Sequence, residues 1–357
     1  MKFGILFELS VPRPFQPVNE KMVFDNSLEQ AKYADELGFD SLWCVEHHFM
    51  EEYSHCSCPD MFLSACAVLT KNIRLGFGIA TCVPEMSHAA RLAERGAFLD
   101  VLSGGRVEFG TGRSSTWVEL GGFGADIDST KESWDEYVRT IPKMWTQERF
   151  SHDGVSFSMP ERAVVPSPEQ DPHPPMWVAV TAPGTEIDAA ERGMGCLCLF
   201  IGNLEKNKAR FQKYRDIIAD CEPVGATVNN QIATMNWMYC DRDNELAVQR
   251  GQEFVDTFSS MAAQPIEISQ AFPSLNYSAI GLLGGLRADP DAGSGKKAAP
   301  EGLCVGTPEN IVATIKEYEE AGVDQMVFMI NARELLQQEE VLASMKMFAE
   351  EVMPHFK

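Results

Sequence analysis

The chain has 357 residues, of which 45 % are apolar, and its net charge at pH 7 is −22. A surface this acidic repels phosphate backbones and anionic lipid heads, so we expect no nucleic-acid or membrane partner. No apolar run reaches the roughly eighteen residues of a membrane-spanning helix, and no secretory leader is recognisable. The ten cysteines are scattered, which predicts a cytoplasmic protein with reduced thiols. The Cys-x-Cys pairs at 56/58 and 196/198 lack the second half-site of a metal centre, so no metal is expected.

Apolar segments of strand length alternate with amphipathic helical segments along the chain. The predicted strands cover residues 2–7, 41–45, 73–81, 106–110, 176–180, 195–200, 231–239 and 325–330. The predicted helices cover residues 28–37, 61–69, 89–102, 129–145, 185–192, 204–220, 244–258, 308–321 and 339–352, with Asp60 as the cap of the second. Parallel strands need helical crossovers, so eight such units predict a closed (β/α)8 TIM barrel in one domain over residues 1–357.

An open, doubly wound sheet is the alternative architecture. It requires a Gly-x-Gly-x-x-Gly turn after the first strand, whereas this chain continues Ser10-Val11-Pro12-Arg13-Pro14. Two segments interrupt the alternation. Residues 146–175 are polar and contain six prolines, which predicts an excursion on the barrel surface. Residues 263–299 are interpreted as an active-site lid, with a plain surface insertion as the alternative.

Functional groups of a barrel gather at the carboxyl ends of its strands. The second strand ends in Glu46-His47-His48-Phe49, a set suited to acid–base chemistry. Neighbouring side chains point in opposite directions, so we expect one of the two histidines to face the cavity. A purely structural histidine pair is the alternative.

Two neighbouring strand ends predict an anion site. The fourth strand ends in Gly110-Thr111-Gly112-Arg113, where glycines admit a ligand and the arginine suits a phosphate. The fifth ends in Val180-Thr181 and leads to Thr185 at a helix start, where hydroxyls and free N–H groups bind anions. An ordinary turn with a surface salt bridge and a plain N-cap are the alternatives. The third strand, through residues 76–84, is apolar and glycine-containing; it suits a flat ring or is simply a buried parallel strand.

Taken in order, these residues resemble the bacterial luciferase-like flavin monooxygenases along nearly the whole chain. Each motif alone is weak, but their order and spacing are specific. The motifs are Glu46-His47-His48-Phe49, the run from Gly78 to Pro84, Leu99-Asp100 with Ser103-Gly104-Gly105-Arg106, Phe109-Gly110 with Arg113, Gly306-Thr307-Pro308-Glu309, residues 342–348, and Val352-Met353-Pro354.

The resemblance implies a barrel that binds FMN at its mouth. The FMN is reduced by a separate reductase and reacts with O2 to give a C4a-hydroperoxide. His47 is similar to the catalytic histidine of the family, with His48 beside it, and Glu46 to a residue that lines the flavin site. Ile79 and Ala80 resemble the pair beneath the ring, where the family often has a non-proline cis peptide. Gly112, Arg113, Val180, Thr181 and Thr185 resemble the remaining cofactor positions, the last four at the phosphate. A homodimer is also implied.

Two departures narrow the implied function. Gly112 stands where luciferases carry a reactive cysteine, so light emission is not expected. The predicted lid shares little with luciferase, so aldehyde specificity is not implied. The sequence therefore predicts a two-component FMN monooxygenase that acts on an apolar or carbonyl-bearing organic substrate. A deazaflavin-dependent hydride-transfer enzyme is the alternative, and a non-catalytic flavin-binding protein is a third hypothesis from a different class.

Overall fold

The computed structural model describes residues 1–114, 116–199, 204–270 and 302–357. The strands of the described residues are β1 Lys2–Phe7, β2 Ser41–Cys44, β3 Arg74–Phe77, β4 Ala80–Thr81, β5 Val107–Gly112, β6 Phe150–Asp153, β7 Ser158–Arg162, β8 Met176–Val180, β9 Gly195–Cys198, β10 Ile232–Cys240, β11 Cys304–Gly306 and β12 Gln325–Met329. Eight parallel strands close into a barrel in the order β1-β2-β3-β5-β8-β9-β10-β12, and β12 pairs with β1. The predicted (β/α)8 barrel is confirmed.

Helices surround the barrel, as the crossovers between parallel strands require. Those within the described residues are α1 Pro17–Leu37, α2 Pro59–Leu69, α3 Ala89–Ser103, α4 Trp117–Phe123, α5 Thr130–Thr146, α6 Thr185–Glu191, α7 Leu204–Ile218, α8 Asn244–Gln270, α9 Pro308–Glu320 and α10 Gln338–Glu351. Among these helices, none combines the length and the apolar composition needed to span a bilayer.

The strands of the barrel are held in register by large side chains in its interior. Trp43 of β2 pairs with Gly76 of β3, where a Cβ atom would lie 2.2 Å from the indole ring. Trp177 of β8 meets Trp43 edge to face, with 5.4 Å between the ring centroids. The indole of Trp43 therefore occupies space that is available only because residue 76 on the neighbouring strand is a glycine. This packing fills the barrel below its carboxyl end, so the interior is a core and the mouth holds the cavity.

Several predicted elements are corrected by the structure. The third predicted strand is broken into β3 and β4, and a non-proline cis peptide joins Gly78 to Ile79, one bond earlier than the pair Ile79–Ala80. The predicted cap Asp60 is wrong, because α2 begins at Pro59 and the Asp60 carboxylate instead accepts a hydrogen bond from Arg95 at 2.7 Å. Strand β11 and helix α4 were not predicted.

The two predicted interruptions have different outcomes. Residues 146–175 contain the antiparallel hairpin β6–β7, which stands outside the barrel sheet, as expected of a surface excursion. Residues 263–270 of the predicted lid belong to α8, which continues to Gln270 rather than ending at residue 258. Residues 271–299 of that prediction, and Phe200 at the end of the predicted sixth strand, lie outside the described residues.

Candidate active site

A cavity at the carboxyl ends of the barrel strands brings together most of the predicted site. It holds about 1230 Å³ of space not filled by protein atoms, part of it open to solvent. Seven of the predicted residues line it. They are Glu46, His47, Ile79, Gly112, Arg113, Thr181 and Thr185.

The other three predicted residues are not part of the cavity wall. The ring of His48 packs edge to face against Phe123, with 5.0 Å between centroids, so one histidine of the pair faces the cavity, as expected. Ala80 and Val180 are buried, with exposures of 1 % and 0 %. A direct contact between any of these three residues and a bound ligand therefore stays a prediction.

His47 is held by its main chain and by one ring nitrogen. Its N–H donates to the carbonyl of Cys56 at 2.9 Å. Its Nδ1 lies 2.9 Å from Oε1 of Glu119, a buried carboxylate on α4. A carboxylate accepts hydrogen bonds, so Nδ1 carries the proton in this contact and Nε2 is left to meet other groups. The geometry therefore orients the imidazole and fixes its Nδ1–H tautomer.

Glu119 is satisfied by several donors at once. Ser114 Oγ donates to its Oε2 at 2.6 Å, Thr116 Oγ1 at 3.2 Å, and the main-chain N–H of His48 donates to Oε1 at 3.1 Å. Burial raises the pKa of this carboxyl, but the charge of His47 and the hydrogen bonds from His47, Ser114 and His48 outweigh burial and hold the pKa below its usual range. Glu119 is consequently an ionised carboxylate.

The interaction with Glu119 also changes the pKa of His47. Burial lowers the pKa of His47, yet the charge and hydrogen bond of Glu119, with the charges of Glu8 and Glu46, outweigh burial and raise it above the ordinary value. His47 and Glu119 therefore form a buried ion pair at the edge of the cavity, in which the imidazolium is favoured.

Glu8, which the sequence analysis did not select, lies directly after β1 and lines the cavity. Its side chain is 3 % exposed, and its Oε2 lies 4.0 Å from Nε2 of His47. Tyr53 donates to Oε1 at 3.3 Å, while Oε2 has no hydrogen-bond partner among the described residues. Burial raises the pKa of Glu8 to about 7, although His47 and Tyr53 act to lower it. We call Glu8, His47 and Glu119 the His47 cluster.

Glu46 connects the end of β2 to β4. Its Oε2 accepts a hydrogen bond from the main-chain N–H of Thr81 at 3.1 Å, and its Oε1 lies 3.4 Å from Nε2 of His48. Thr81 lies in β4, two residues after Ile79 and the cis peptide. Glu46 thus fixes the segment that presents Ile79 to the cavity.

The anion site predicted at β5 and β8 is only partly as expected. Arg113 follows β5 and Thr181 follows β8, and these strands are neighbours, as predicted. Lys131 of α5 joins them in lining the cavity, together with Thr185. We call Arg113, Lys131, Thr181 and Thr185 the donor group.

The expectation of free N–H groups at the start of α6 is wrong for two of them. The N–H of Gly184 donates to Glu186 Oε2 at 2.9 Å, and that of Thr185 donates to the carbonyl of Ala182 at 3.2 Å. Gly184, rather than either threonine, is the N-cap. Lys131 contacts Asp188 at 2.9 Å. Side chains of the donor group, rather than the N–H groups of Gly184 and Thr185, are therefore the features that suit an anion.

Comparison with models of known protein families identifies the family of this chain. The model of the family described as luciferase-like monooxygenase matches residues 1–325. The chain belongs to the luciferase-like monooxygenase family. The chain is therefore an enzyme of a flavin-dependent oxidoreductase family, as the sequence motifs predicted.

Individual members of this family extend the likeness over the full chain. The oxygenase component of the flavin-dependent trigonelline monooxygenase of Acinetobacter baylyi is 25 % identical, over 100 % of this chain and 96 % of that protein. An F420-dependent glucose-6-phosphate dehydrogenase of Amycolatopsis mediterranei is 26 % identical, over 84 % of this chain and 87 % of that one. The crystal structure of monooxygenase RslO1 from Streptomyces bottropensis has a TM-score of 0.81 and 26 % identity, with 100 % of both chains covered. Proteins similar to this chain thus include one named as flavin-dependent and one named as F420-dependent.

Three site residues were missed by the sequence analysis, and one of them carried a usable signal. Glu8 interrupts an apolar strand at its carboxyl end, which is the position where a barrel places functional groups. Glu119 lies on α4, a helix of seven residues that was not predicted, and Lys131 lies on the exposed start of α5. Sequence spacing gives no means of relating these two residues to the cavity.

The ion pair of the His47 cluster predicts how His47 titrates. In Glu119→Gln the pKa of His47 falls, because the largest of the three charges that oppose the effect of burial is lost. The measurement is a titration of the histidine ring signals by heteronuclear NMR, with the His47 signal assigned from His47→Asn. Ser114→Ala is the matched control, since it removes one hydrogen bond to Glu119 but keeps the charge, and its His47 pKa should stay above the ordinary value. An unchanged His47 titration in Glu119→Gln would contradict the ion pair.

Proposed function

We propose that the protein is a two-component FMN-dependent monooxygenase. It would use reduced FMN, supplied by a separate reductase, and O2 to oxygenate an apolar or carbonyl-bearing organic substrate. The observation that carries this proposal is the order of chemistry around the mouth. Glu8 and His47 follow β1 and β2, the apolar residue Ile79 follows β3, and Arg113 and Thr181 of the donor group follow β5 and β8. A flavin needs the same order of surroundings, with polar groups at one end of a flat apolar wall and an anion site at the other.

The residues at the wall fit a flat ring. Gly112 lets the Ile79 side chain pack directly against the main chain of β5, because a Cβ at position 112 would lie 2.8 Å from Ile79 Cγ1. Val178 and Leu197 continue the apolar wall. In this proposal Ile79 and Gly112 would hold the ring, Glu46 would fix the segment that carries Ile79, and the donor group would hold the phosphate. Ala80, Val180 and His48 would act through these neighbours.

The residues of the cavity have separate tasks in the proposed reaction. Reduced FMN, when bound, supplies the electrons that activate O2 for insertion into the substrate. Glu119 keeps a proton on His47 Nδ1, and His47 Nε2 holds or moves a proton beside the substrate. The apolar wall excludes water, which would otherwise solvate and discharge reactive species. The relative named as an oxygenase component supports the expectation of a separate reductase.

The deciding experiment is anaerobic binding of reduced FMN followed by rapid mixing with O2. We expect reduced FMN to bind at least tenfold more tightly than reduced riboflavin, since charge-assisted hydrogen bonds to a phosphate contribute about 1.5–3 kcal/mol. After mixing, we expect a persistent flavin spectrum distinct from those of both reduced and oxidised FMN. The same titration with F420 tests the alternative of hydride transfer, which the F420-dependent relative supports. Tight binding of F420 with none of FMN would replace the proposal by that alternative, and tight oxidised FMN without oxygen use would favour the non-catalytic hypothesis.

His47→Ala is expected to keep the fold and to lower turnover roughly 100-fold or more, because a positioned acid–base group contributes about 10²–10⁴ to the rate. Turnover is measured as O2 uptake with a substrate found by screening, and the fold by circular dichroism. His48→Ala is the comparison variant, and its loss should be much smaller because its ring lies outside the cavity. Equal losses in the two variants would remove His47 from the proposed role.

The expected homodimer has a candidate surface on two packed helices. Helices α2 and α3 expose apolar side chains that would gain stability from burial. Met61 is 71 % exposed, Val68 70 % and Phe98 60 %, and Leu69, Val101 and Leu102 extend the same patch. A second copy of this chain would bury the patch through the same pair of helices.

Placing charge in this patch is expected to convert the dimer into a monomer. The variant combines Val68→Glu with Phe98→Glu, and mass is measured by size-exclusion chromatography with light scattering. Val155→Glu is the control, since Val155 is also exposed but lies in the turn between β6 and β7 rather than on α2 or α3. A wild-type monomer, or a dimer that survives both charges, would contradict the proposed surface.

A further inference from the structure

Glu8 is the buried acid of the cavity that the proposed mechanism leaves without a task. It follows β1, the strand that pairs with both β12 and β2, so its main chain is fixed from two sides. The main-chain carbonyl of Glu8 accepts a hydrogen bond from Ser54 Oγ at 2.6 Å. A carboxylate so deeply buried is normally paired or multiply hydrogen-bonded. Among the described residues, the Oε2 of Glu8 has no hydrogen-bond partner, and its only ion-pair contact is with His47 at the limit of 4.0 Å.

The nearest cationic group to this oxygen is the ring of His47. Nε2 of His47 lies 4.0 Å from Oε2 of Glu8, while its Nδ1 already donates to Glu119. A hydrogen bond needs about 2.7–3.2 Å, so the two atoms meet after an approach of about 1 Å. Rotation about the side-chain bonds of Glu8 supplies such an approach, and Oε2 gives up no existing hydrogen bond when it moves.

The two carboxyls beside His47 differ in the support they receive. Glu119 is surrounded by donors from Ser114, Thr116 and the His48 main chain, which favour its charged form. Glu8 has the single hydroxyl of Tyr53. The groups that act on Glu8 are His47, Tyr53 and Glu119, and its charge also acts on the Cys44 thiol. Glu119 therefore keeps its charge, and Glu8 is the acid that can accept a proton.

We propose that Glu8 is the proton partner of His47, a positioning residue that takes the Nε2 proton so that the imidazole can act as a base. In this step the Nε2–H bond breaks and an Oε2–H bond forms, which leaves a neutral imidazole beside a neutral carboxylic acid. No oxidant or reductant takes part. Nε2 then accepts a proton from the substrate. Without this partner, the pairing with Glu119 would keep His47 cationic and unable to accept one. The inference rests on the proposed function only in assigning a substrate to that base.

The transfer predicts that Glu8 and His47 titrate together in the full chain without ligand. The experiment follows the Glu8 carboxyl carbon and the His47 ring nitrogens by NMR in protein labelled at glutamate and histidine side chains. In the wild type we expect the Glu8 signal to change with a midpoint of about 7 and the His47 Nε2 signal to show an inflection at the same pH. In Glu8→Gln that inflection disappears and the His47 pKa falls, because a neighbouring negative charge is lost.

Two further variants separate proton exchange from a structural effect. Glu46→Gln removes another buried carboxyl near His47 and should keep the shared inflection. Glu8→Asp keeps the acid but shortens its reach, so the carboxyl should still titrate while the inflection at His47 weakens. A Glu8 titration at the ordinary value for glutamate, or a His47 trace unchanged in Glu8→Gln, would overturn the inference. These measurements use no flavin, so failure of FMN binding would remove the proposed function and leave this inference standing.

Discussion

Closure of the barrel is the constraint on which the site depends. Pairing of β1 with β12 on one side and with β2 on the other brings the two ends of the chain into one sheet. All eight barrel strands are parallel, so every carboxyl end opens at the same mouth. Glu8 and His47 are distant in sequence order from Arg113 and Thr181, yet they line one cavity for this reason. A sheet left open at β1 and β12 would put Glu8 on an edge strand, exposed to water and free to ionise.

Within that mouth, the electrostatics are set by how many donors each carboxyl receives. Among the described residues, Glu119 accepts hydrogen bonds from three donors besides His47, and Glu8 accepts one from Tyr53. Burial favours the neutral acid at both carboxyls. The difference in hydrogen bonding therefore keeps Glu119 charged and leaves Glu8 able to exchange a proton. His47 lies between these two carboxyls, so its own charge is adjustable.

Much of this arrangement was readable from the sequence, and the failures have identifiable physical causes. The barrel strands followed from apolar runs with helical connections, and Glu46, His47 and Arg113 followed from their positions at strand ends. The break at Gly78–Ile79 was placed one bond late, because the run from residue 73 to 81 is apolar throughout and gives no local signal of an interruption. Glu119 was missed because its link to His47 spans 72 positions and depends on tertiary packing.

The effect of Glu8 on the stability of the protein helps to explain why a carboxyl is present at this position. A carboxyl whose pKa is raised from 4.5 to about 7 on folding binds its proton more tightly in the native than in the unfolded chain. Stability is therefore lost as pH rises from 4.5 to about 7, on the order of 3 kcal/mol in total. Such a loss is large against the roughly 5–15 kcal/mol by which domains are stable, and an apolar side chain at this position would avoid it. Buried groups that lower stability in this way are concentrated at functional sites, where strain and unpaired groups serve chemistry rather than stability. The Oε2 atom of Glu8 has no hydrogen-bond partner among the described residues and lies 4.0 Å from Nε2 of His47. Proton exchange between these two side chains is therefore the role that explains both the burial of Glu8 and its missing hydrogen bond.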